Sequence, residues 1–542
     1  MSGDSEFPVA TTGGLAAEED DKNRAFMVLG CGCYRIGSSV EFDWCSVNTV
    51  RTLRETNHRA MIVNCNPETV STDYDTSDRL YFEPLTVEDV ANIFDKERPE
   101  GAIVQFGGQT PLNIAAGLSE LGVPILGTPL DAIDRAEDRG RFRQLIELLG
   151  LSQPPSAIAT EPDQVITEAE ALGYPVLVRP SYVLGGRAME IVYDTDALRD
   201  YLRRSGNTRR GAQRTVLVDS FLDGAIEVDA DLIGDGERFV VGGVMEHIEQ
   251  AGVHSGDSAC CLPPHTLDAE VVDEIEAATV ALGAELGIRG LMNVQFAVRG
   301  GEVFVLEVNP RASRTVPFVS KATGVPLARI ATAAVCGRSL DELGLTQRPT
   351  PGHYAVKEVV LPFSKFLGAD TTLGPEMKST GEVMGMDSEF GRAFAKAQDG
   401  AGGQLPRGGR VFVSVRDDDK PAAVELSREL VELGFELAAT GGTASALAAA
   451  GLPVKRLVKL GGEGETALDL MAADHIQLVI NTPSDTRARR DENRIRQYAL
   501  SRGVPCVTTL AAAWASVAGI RAEQQGGLQV WALQDHAAAA PR

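Results

Sequence analysis

The sequence predicts a multidomain chain of the α/β and α+β classes, and three observations predict it. Buried-type strands alternate with helical patterns at both ends of the chain. The middle is rich in strands that come as hairpins, with fewer helices between them. The 542 residues suffice for roughly three or four domains. Strand–helix alternation implies a parallel sheet covered by helices on both faces, whereas hairpins imply an antiparallel sheet with helices segregated to one side.

Taken in order, residues 1–23 carry acidic side chains and no apolar signal-peptide core, and are expected to be a disordered tail. Residues 24–131 form the first unit, a Rossmann-like α/β pattern. A strand at 26–29 feeds the loop Gly30-Cys-Gly-Cys-Tyr-Arg-Ile-Gly37; further strands are expected at 60–64 and 101–106, and helices at 46–55 and 112–121. The glycine loop looks like a dinucleotide fingerprint, but Asn64-Cys-Asn-Pro-Glu68 stands where an acidic residue would meet a ribose, which argues against nicotinamide. Residues 132–344 make the second unit, with strands expected at 176–179, 190–193, 216–219, 227–231, 239–242, 290–298 and 302–309. Residues 345–405, rich in Gly and Pro and ending in Gly400-Ala-Gly-Gly403, read as a connector that completes the preceding unit and closes in a flexible linker. Residues 406–520 alternate again, with strands at 411–415, 435–440 and 477–481, and predict a small parallel sheet. Residues 521–542 read as a second tail, disordered in its Ala-rich end at 537–541.

Composition excludes several function classes. Seventy-six acidic against fifty-one basic residues give a net charge of −25, unsuited to nucleic acid or an anionic membrane surface. No apolar run has the length of a membrane span. Eight cysteines without any Cys-x-x-Cys pair read as reduced thiols of a cytoplasmic protein, not as a disulfide framework.

The chemistry concentrates in the hairpin at 290–309. Side chains alternate faces along a strand, so Asn293 and Gln295 share one face of the first strand, and Glu307 and Asn309 one face of the second. Pairing brings Gln295, Glu307 and Asn309 together, with Arg311 and Arg314 following at once. Hard oxygen ligands beside fixed positive charge suit Mg²⁺ on a polyphosphate. Between two strands of the same unit, Arg179, Gly185, Gly186 and Arg187 offer backbone N–H groups and guanidinium forks to phosphate, although the Gly-Lys-Ser/Thr ending of a P-loop is absent. Arg139 is a further candidate phosphate clamp within a charge run. The segment 246–258 gathers Gly, His, Ser and Asp into an active-site loop; His247 and His254 lack the spacing and company of a zinc site.

These segments together resemble the ATP-grasp family. One member matches far more closely, the carboxy-terminal half of the large chain of carbamoyl-phosphate synthetase. The resemblance runs from about residue 25 to 520 and is carried by Asn64-Cys-Asn-Pro-Glu-Thr-Val-Ser-Thr-Asp-Tyr-Asp75, Gln105-Phe-Gly-Gly-Gln-Thr-Pro111, the loop from Arg179 to Arg187, the stretch from Met245 to Asp257, and Glu307-Val-Asn-Pro-Arg311. It implies a pre-ATP-grasp domain, an ATP-grasp unit and a regulatory domain similar to methylglyoxal synthase. It also implies phosphorylation of carbamate by ATP as the last step toward carbamoyl phosphate, feeding pyrimidine and arginine synthesis. By the resemblance, Arg139, Arg179, Gly185, Gly186 and Arg187 hold ATP phosphates, and Ser220, Leu222, Glu227, Gly252, Val253, His254 and Ser255 line the nucleotide pocket. Gln295, Glu307 and Asn309 bind Mg²⁺ (or Mn²⁺), with K⁺ as a further ion, and Arg311, Arg314 and Asn293 serve carbamate. In the last unit Thr440, Thr443, Lys459, Asn481 and Thr482 resemble a phosphate-binding effector pocket, and a Gly loop opening a helix there is an anion site by its own physics.

There are departures: the bicarbonate-phosphorylating half and any glutaminase are missing, Cys33-Tyr34 replaces Pro-Asn, and Ser220 stands where some relatives carry His. Expected partners are accordingly an amino-terminal half chain with a glutaminase small subunit, or a second copy in a homodimer. The alternative readings are another ATP-grasp carboxylase or ligase, and a catalytically silent subunit that binds ATP and effector.

Overall fold

The computed structural model describes residues 24–38, 40–180, 188–206, 215–365, 372–482, 489–526 and 529–539. The first unit is a five-stranded, fully parallel sheet whose spatial order runs Arg79–Tyr81, Arg59–Val63, Ala25–Leu29, Ala102–Ile103, Ile125–Leu126. The apolar run of Ala25–Leu29 is buried on both faces, as a central parallel strand requires. The helix expected at 46–55 begins earlier, spanning Val40–Glu55, because Phe42 and Cys45 continue its buried face toward the amino end. The short edge strands Arg79–Tyr81 and Ile125–Leu126 carry no periodicity and were not expected.

The centre of the molecule is a seven-stranded antiparallel sheet. Its order is Glu302–Asn309, Arg289–Arg299, Ile226–Asp235, Phe239–Gln250, Cys260–Leu262, Tyr354–Val360, Gly381–Asp387. One face packs with helices Val40–Glu55, Val316–Thr323 and Leu327–Val335, which joins the first unit to the sheet. The other packs with Ala269–Leu286 and with Arg139–Leu148. A separate four-stranded antiparallel sheet, ordered Ser156–Ala159, Val216–Ser220, Val176–Pro180, Glu190–Val192, covers one end of this layer.

Within 345–405, two strands complete the central sheet, and Phe390–Gly400 is a helix packed on them. The glycines read as a flexible linker instead close a hydrogen-bonded turn, with Gly402 N donating to Asp399 O and Gly403 N to Gln398 O. Their glycine content serves chain reversal after a helix rather than freedom.

The last unit is a five-stranded parallel sheet ordered Val454–Leu457, Phe435–Thr440, Gly409–Ser414, Leu478–Asn481, Cys506–Val507. Its core is continuous with Cys261 and Val356 of the central sheet and with Phe394 of the helix packed on it. The expected second tail is structured over much of its length. Helix Leu510–Gly526 runs past residue 520, with Arg521 paired to Glu429, and Leu533–Ala539 is helical, with His536 against the ring of His353 at 5.0 Å. Alanine has the highest helix propensity of any residue, so an Ala-rich end need not be coil. The amino-terminal 1–23 lies outside the described residues.

Candidate functional site

A cavity of about 470 Å³ opens between the small antiparallel sheet, the central sheet and the first unit. The hairpin supplies one wall. Its register sets Gln295 opposite Glu307 and Asn293 opposite Asn309, and a bulge at Leu306 shifts the register by one beyond that pair. Asn309 Nδ2 donates to Glu307 Oε1 at 2.7 Å, and Gln295 Nε2 donates to Ser255 Oγ at 3.2 Å. Three oxygen-bearing side chains therefore converge on the cavity.

Two arginines line the cavity beside them. Arg311 is stretched between Gln109 Oε1 (3.1 Å), Ala312 O (2.9 Å) and Asn309 Oδ1 (3.0 Å), and its guanidinium lies 5.7 Å from the Phe42 ring centre. Arg314 donates to Ser255 Oγ (3.1 Å) and Met377 Sδ (2.7 Å) and lies 3.3 Å from His254 Nδ1. Burial, reinforced by Arg314, pushes the His254 imidazole down to about 3, so it is neutral at physiological pH. Its Nδ1 accepts from Gly256 N at 3.0 Å.

The cavity is also lined by Arg139 and Arg143 from one helix and Arg179 from the small sheet. Asp138 caps that helix, accepting from Arg141 N at 2.9 Å, which fixes the first turn that carries Arg139. Arg179 is paired with Asp219 at 2.8 Å. Ser220, Leu222, Glu227, Gly252, Val253, His254 and Ser255 all line the cavity. Glu227 accepts from Gly252 N at 2.8 Å, and burial holds its carboxyl above the usual range. Gly252 has φ +90°, and a Cβ there would stand 2.7 Å from Ile191 and 2.8 Å from Phe221, so only glycine fits. Gly185, Gly186 and Arg187 lie outside the described residues.

Behind the hairpin runs a buried polar network. Asn293 Nδ2 donates to Asp229 Oδ1 (3.1 Å) and Asp231 Oδ1 (3.0 Å), so its amide nitrogen is committed to these carboxylates. Asp231 also accepts from Ser313 and Thr315, each at 2.7 Å, and His247 Nε2 lies 2.8 Å from Asp229. His247 is thus part of a central strand, not of the loop in which the sequence suggested it. Lys357 and Glu382, 3.7 Å apart, also line the cavity and were not expected. Their signal was present, since Lys357 and Glu358 interrupt an apolar strand just as Glu307 does.

Among the described residues no cluster of three or more His, Cys, Asp or Glu is placed to hold a metal. The mixed set of two amides and one carboxylate at Gln295, Glu307 and Asn309 nevertheless fits a hard divalent cation that keeps part of its shell on phosphate.

In the last unit Thr440 stands at the amino end of helix Gly441–Ala449. Lys459 Cε would lie 3.6 Å from a Cβ on Gly441, and Lys420 Nζ 2.5 Å from one on Gly442. Thr443, Asn481 and Thr482 are buried and engaged internally: Val415 N donates to Thr443 Oγ1, Asn481 Nδ2 to Ser414 O, and Arg416 N to Thr482 Oγ1.

Fold and site together define an ATP-grasp-type unit followed by a small parallel-sheet domain. The description "Carbamoyl phosphate synthase preATP-grasp domain" matches residues 22–135, "Carbamoyl-phosphate synthase L chain, ATP binding domain" residues 138–343, and "MGS-like domain" residues 422–508. The carbamoyl phosphate synthase large chain of Pseudomonas putida is 54% identical over 486 residues, covering 90% of this chain and 45% of the relative. That of Rhodopirellula baltica is 54% identical over 518 residues, covering 95% and 48%. The chain belongs to the carbamoyl phosphate synthase large-chain family, and it spans about half the length of these curated relatives. Among solved structures, the biotin carboxylase domain of the Hydrogenobacter thermophilus 2-oxoglutarate carboxylase superposes with a TM-score of 0.55 at 15% identity, over 69% of this chain and 89% of that one. Biotin carboxylase of Campylobacter jejuni gives 0.53 at 14%, over 69% and 91%. At such identity the likeness concerns the fold alone. Among the described residues no helix is long and apolar enough to cross a membrane.

Proposed function

We propose that this chain transfers the γ-phosphoryl group of ATP to carbamate, releasing carbamoyl phosphate and ADP, as the carboxy-terminal half of a carbamoyl-phosphate synthetase. The observation that carries the reading is the convergence of Arg311, Arg314, the oxygen set Gln295, Glu307 and Asn309, and the further arginines Arg139 and Arg179 on one cavity. Residues 24–131 and 132–344 with 345–405 form the synthetase unit, and 406–520 the allosteric unit.

Carbamate is already a nucleophilic oxyanion, so no general base is required, and catalysis reduces to positioning and charge neutralisation. Arg139 and Arg179 hold the phosphates, while Glu227 and the Gly252–Ser255 turn shape the nucleotide pocket. Arg311 and Arg314 draw the carbamate carboxylate and the transferring phosphoryl group together. Gln295, Glu307 and Asn309 would hold Mg²⁺ or Mn²⁺, whose chemistry is to neutralise phosphate oxygens. Asn293 acts by positioning Asp229 and Asp231 behind the hairpin. Carbamate comes from a second half chain acting with a glutaminase subunit, or from a second copy of this chain.

Incubating the chain with ADP, Mg²⁺ and carbamoyl phosphate should yield ATP, and Glu307→Gln should abolish it while the melting temperature holds. A well-folded wild-type chain that makes no ATP favours the silent regulatory subunit instead.

Gly256→Ala should be nearly as damaging. A Cβ there would stand 2.2 Å from Arg314 Nη1 and 2.7 Å from its Cζ. The side chain can yield, so stability should change by less than about 1 kcal/mol. Arg314 would leave its place, and ATP formation should fall on the order of a hundredfold. Retained activity would mean that the present position of Arg314 is not the working one.

A further inference from the structure

One short segment of the first unit, Gln105-Phe-Gly-Gly-Gln109, grips the hairpin where its chain enters and where it leaves. At the entry, the buried side chain of Gln105 fills the space that a Cβ on Gly290 would need. At the exit, Ala312 N donates to Gln105 O at 2.9 Å, and Arg311 Nε donates to Gln109 Oε1 at 3.1 Å. Gly107 lets the segment lie against the end of strand Ala25–Leu29, since a Cβ there would stand 2.5 Å from Leu29 O and Gly30 O. None of the site residues read from the sequence lies in this unit, yet Gln109 lines the cavity.

Gln109 is the first residue of helix Gln109–Glu120, which fixes its backbone. Its amide is fixed as well. The oxygen faces Arg311, which can only donate, while Nε2 donates to Glu137 Oε1 at 2.6 Å and to Asn113 Oδ1 at 3.1 Å. A flipped amide would set donor against donor and acceptor against acceptor, so only one orientation is satisfied. Glu137 ends helix Leu130–Glu137 and precedes Asp138, the cap of the helix that carries Arg139. One neutral side chain therefore ties Arg311 to the corner that holds Arg139.

We infer that Gln109 is a positioning residue for the transfer reaction, aiming Arg311 into the cavity and keeping Glu137 from neutralising it. The inference rests on the phosphoryl-transfer reading proposed above. The three acceptors of Arg311, Gln109 Oε1, Ala312 O and Asn309 Oδ1, are all uncharged. Glu137 is near enough to act on the charge of Arg311, and the Gln109 amide is bonded to both. A carboxylate bonded directly to the guanidinium would neutralise it. An amide oxygen orients the same group and leaves its charge for an arriving anion.

The test compares the full wild-type chain with Gln109→Leu, Gln109→Glu and Arg311→Met, each checked for folding by a thermal melt. In ATP formation from MgADP and carbamoyl phosphate, Gln109→Leu should raise KM for carbamoyl phosphate about tenfold, with the MgADP dissociation constant within about twofold of wild type. Gln109→Glu keeps the shape but sets a charge on Arg311, so it should lose at least as much, which a role in packing alone would not produce. Adding Gln109→Leu to Arg311→Met should lower the rate no further, because the side chain it positions is already gone. A second readout needs no turnover. Inorganic phosphate, titrated as the probe anion into the MgADP-loaded chain, should bind about fivefold more weakly to Gln109→Leu than to wild type. A wild type that forms ATP while both Gln109 variants keep its constants overturns the inference and leaves the proposed reaction standing. A wild type that forms no ATP sinks the reaction instead, and the phosphate titration then decides alone. Phosphate bound no better by wild type than by Gln109→Leu overturns the role given to Gln109.

Discussion

Arg314→Ala should lower ATP formation from ADP and carbamoyl phosphate by about a thousandfold, with MgADP affinity changed less than about threefold. The partners of Arg314 are a hydroxyl, a neutral imidazole nitrogen and a thioether, and among the described residues no carboxylate stands within ion-pair distance of it. A partly buried guanidinium bound only to neutral groups keeps its charge for an anion that arrives. His254 sharpens this, because an imidazole pushed down to about 3 cannot add a competing positive charge at working pH. Its Nδ1 lone pair instead faces both Gly256 N and the guanidinium. Stabilisation of charge that spreads in the transition state is worth more than ground-state binding, so the loss should fall on turnover and spare nucleotide affinity. Arg314→Lys should recover little, since one ammonium cannot span Ser255 and Met377 while meeting the substrate. Steady-state rates with MgADP titrations on the same samples check both parts. A variant losing nucleotide affinity as strongly as rate would place Arg314 in ground-state binding.

The hairpin was legible because alternation is strict along a strand. Gln295 and Glu307 had to share a face once the turn at 300–301 was recognised, and the register sets them opposite each other. What alternation alone does not give is the bulge at Leu306, since a single extra residue leaves no mark on composition. The strands Tyr354–Val360 and Gly381–Asp387 were hidden for a different reason. Glycine and proline around them read as linker, although Lys357 and Glu358 within an apolar run already marked a buried strand with polar work. The triplet Glu227, Asp229 and Asp231 has the same form, three carboxylates at alternate positions of one apolar strand. The sequence reading used only the first, because the partners of the other two, Asn293, His247, Ser313 and Thr315, arrive from distant segments that only the central sheet assembles. Edge strands of two to four residues carry too few side chains for any period to show.

Asp231→Ala should be the most destabilising single change in the synthetase unit, and Asp231→Asn should be mild and remove a pH dependence. Asp231 is 1% exposed and accepts from Asn293, Ser313 and Thr315. Alanine leaves three buried donors without their acceptor, a loss of about 3 to 5 kcal/mol read as a lower urea midpoint of the transition that involves this unit. Asparagine keeps one oxygen where Ser313 and Asn293 donate, and the Thr315 hydroxyl, which also meets Ser313 Oγ at 2.7 Å, can rotate to accept from the new amide. Burial raises the Asp231 carboxyl from its ordinary value of 3.8 to about 6, and its three hydrogen bonds only partly oppose that rise. The sign follows from proton counting. Between about pH 4 and 6 the folded chain holds this proton more tightly than the unfolded chain. Stability from Asp231 is therefore greatest below that window and is lost as pH rises through it, by on the order of 2 to 3 kcal/mol, with no further change above. Subtracting the Asp231→Asn urea midpoints from the wild-type midpoints across pH 4 to 7 isolates this group together with its coupling to Asp229, because the titrations of groups remote from Asp231 are common to both chains. A difference curve that falls through the window and then levels supports a protonated Asp231 at the heart of the hairpin's support. A flat curve would mean that the carboxylate stays ionised throughout, held charged by Asn293, Ser313 and Thr315.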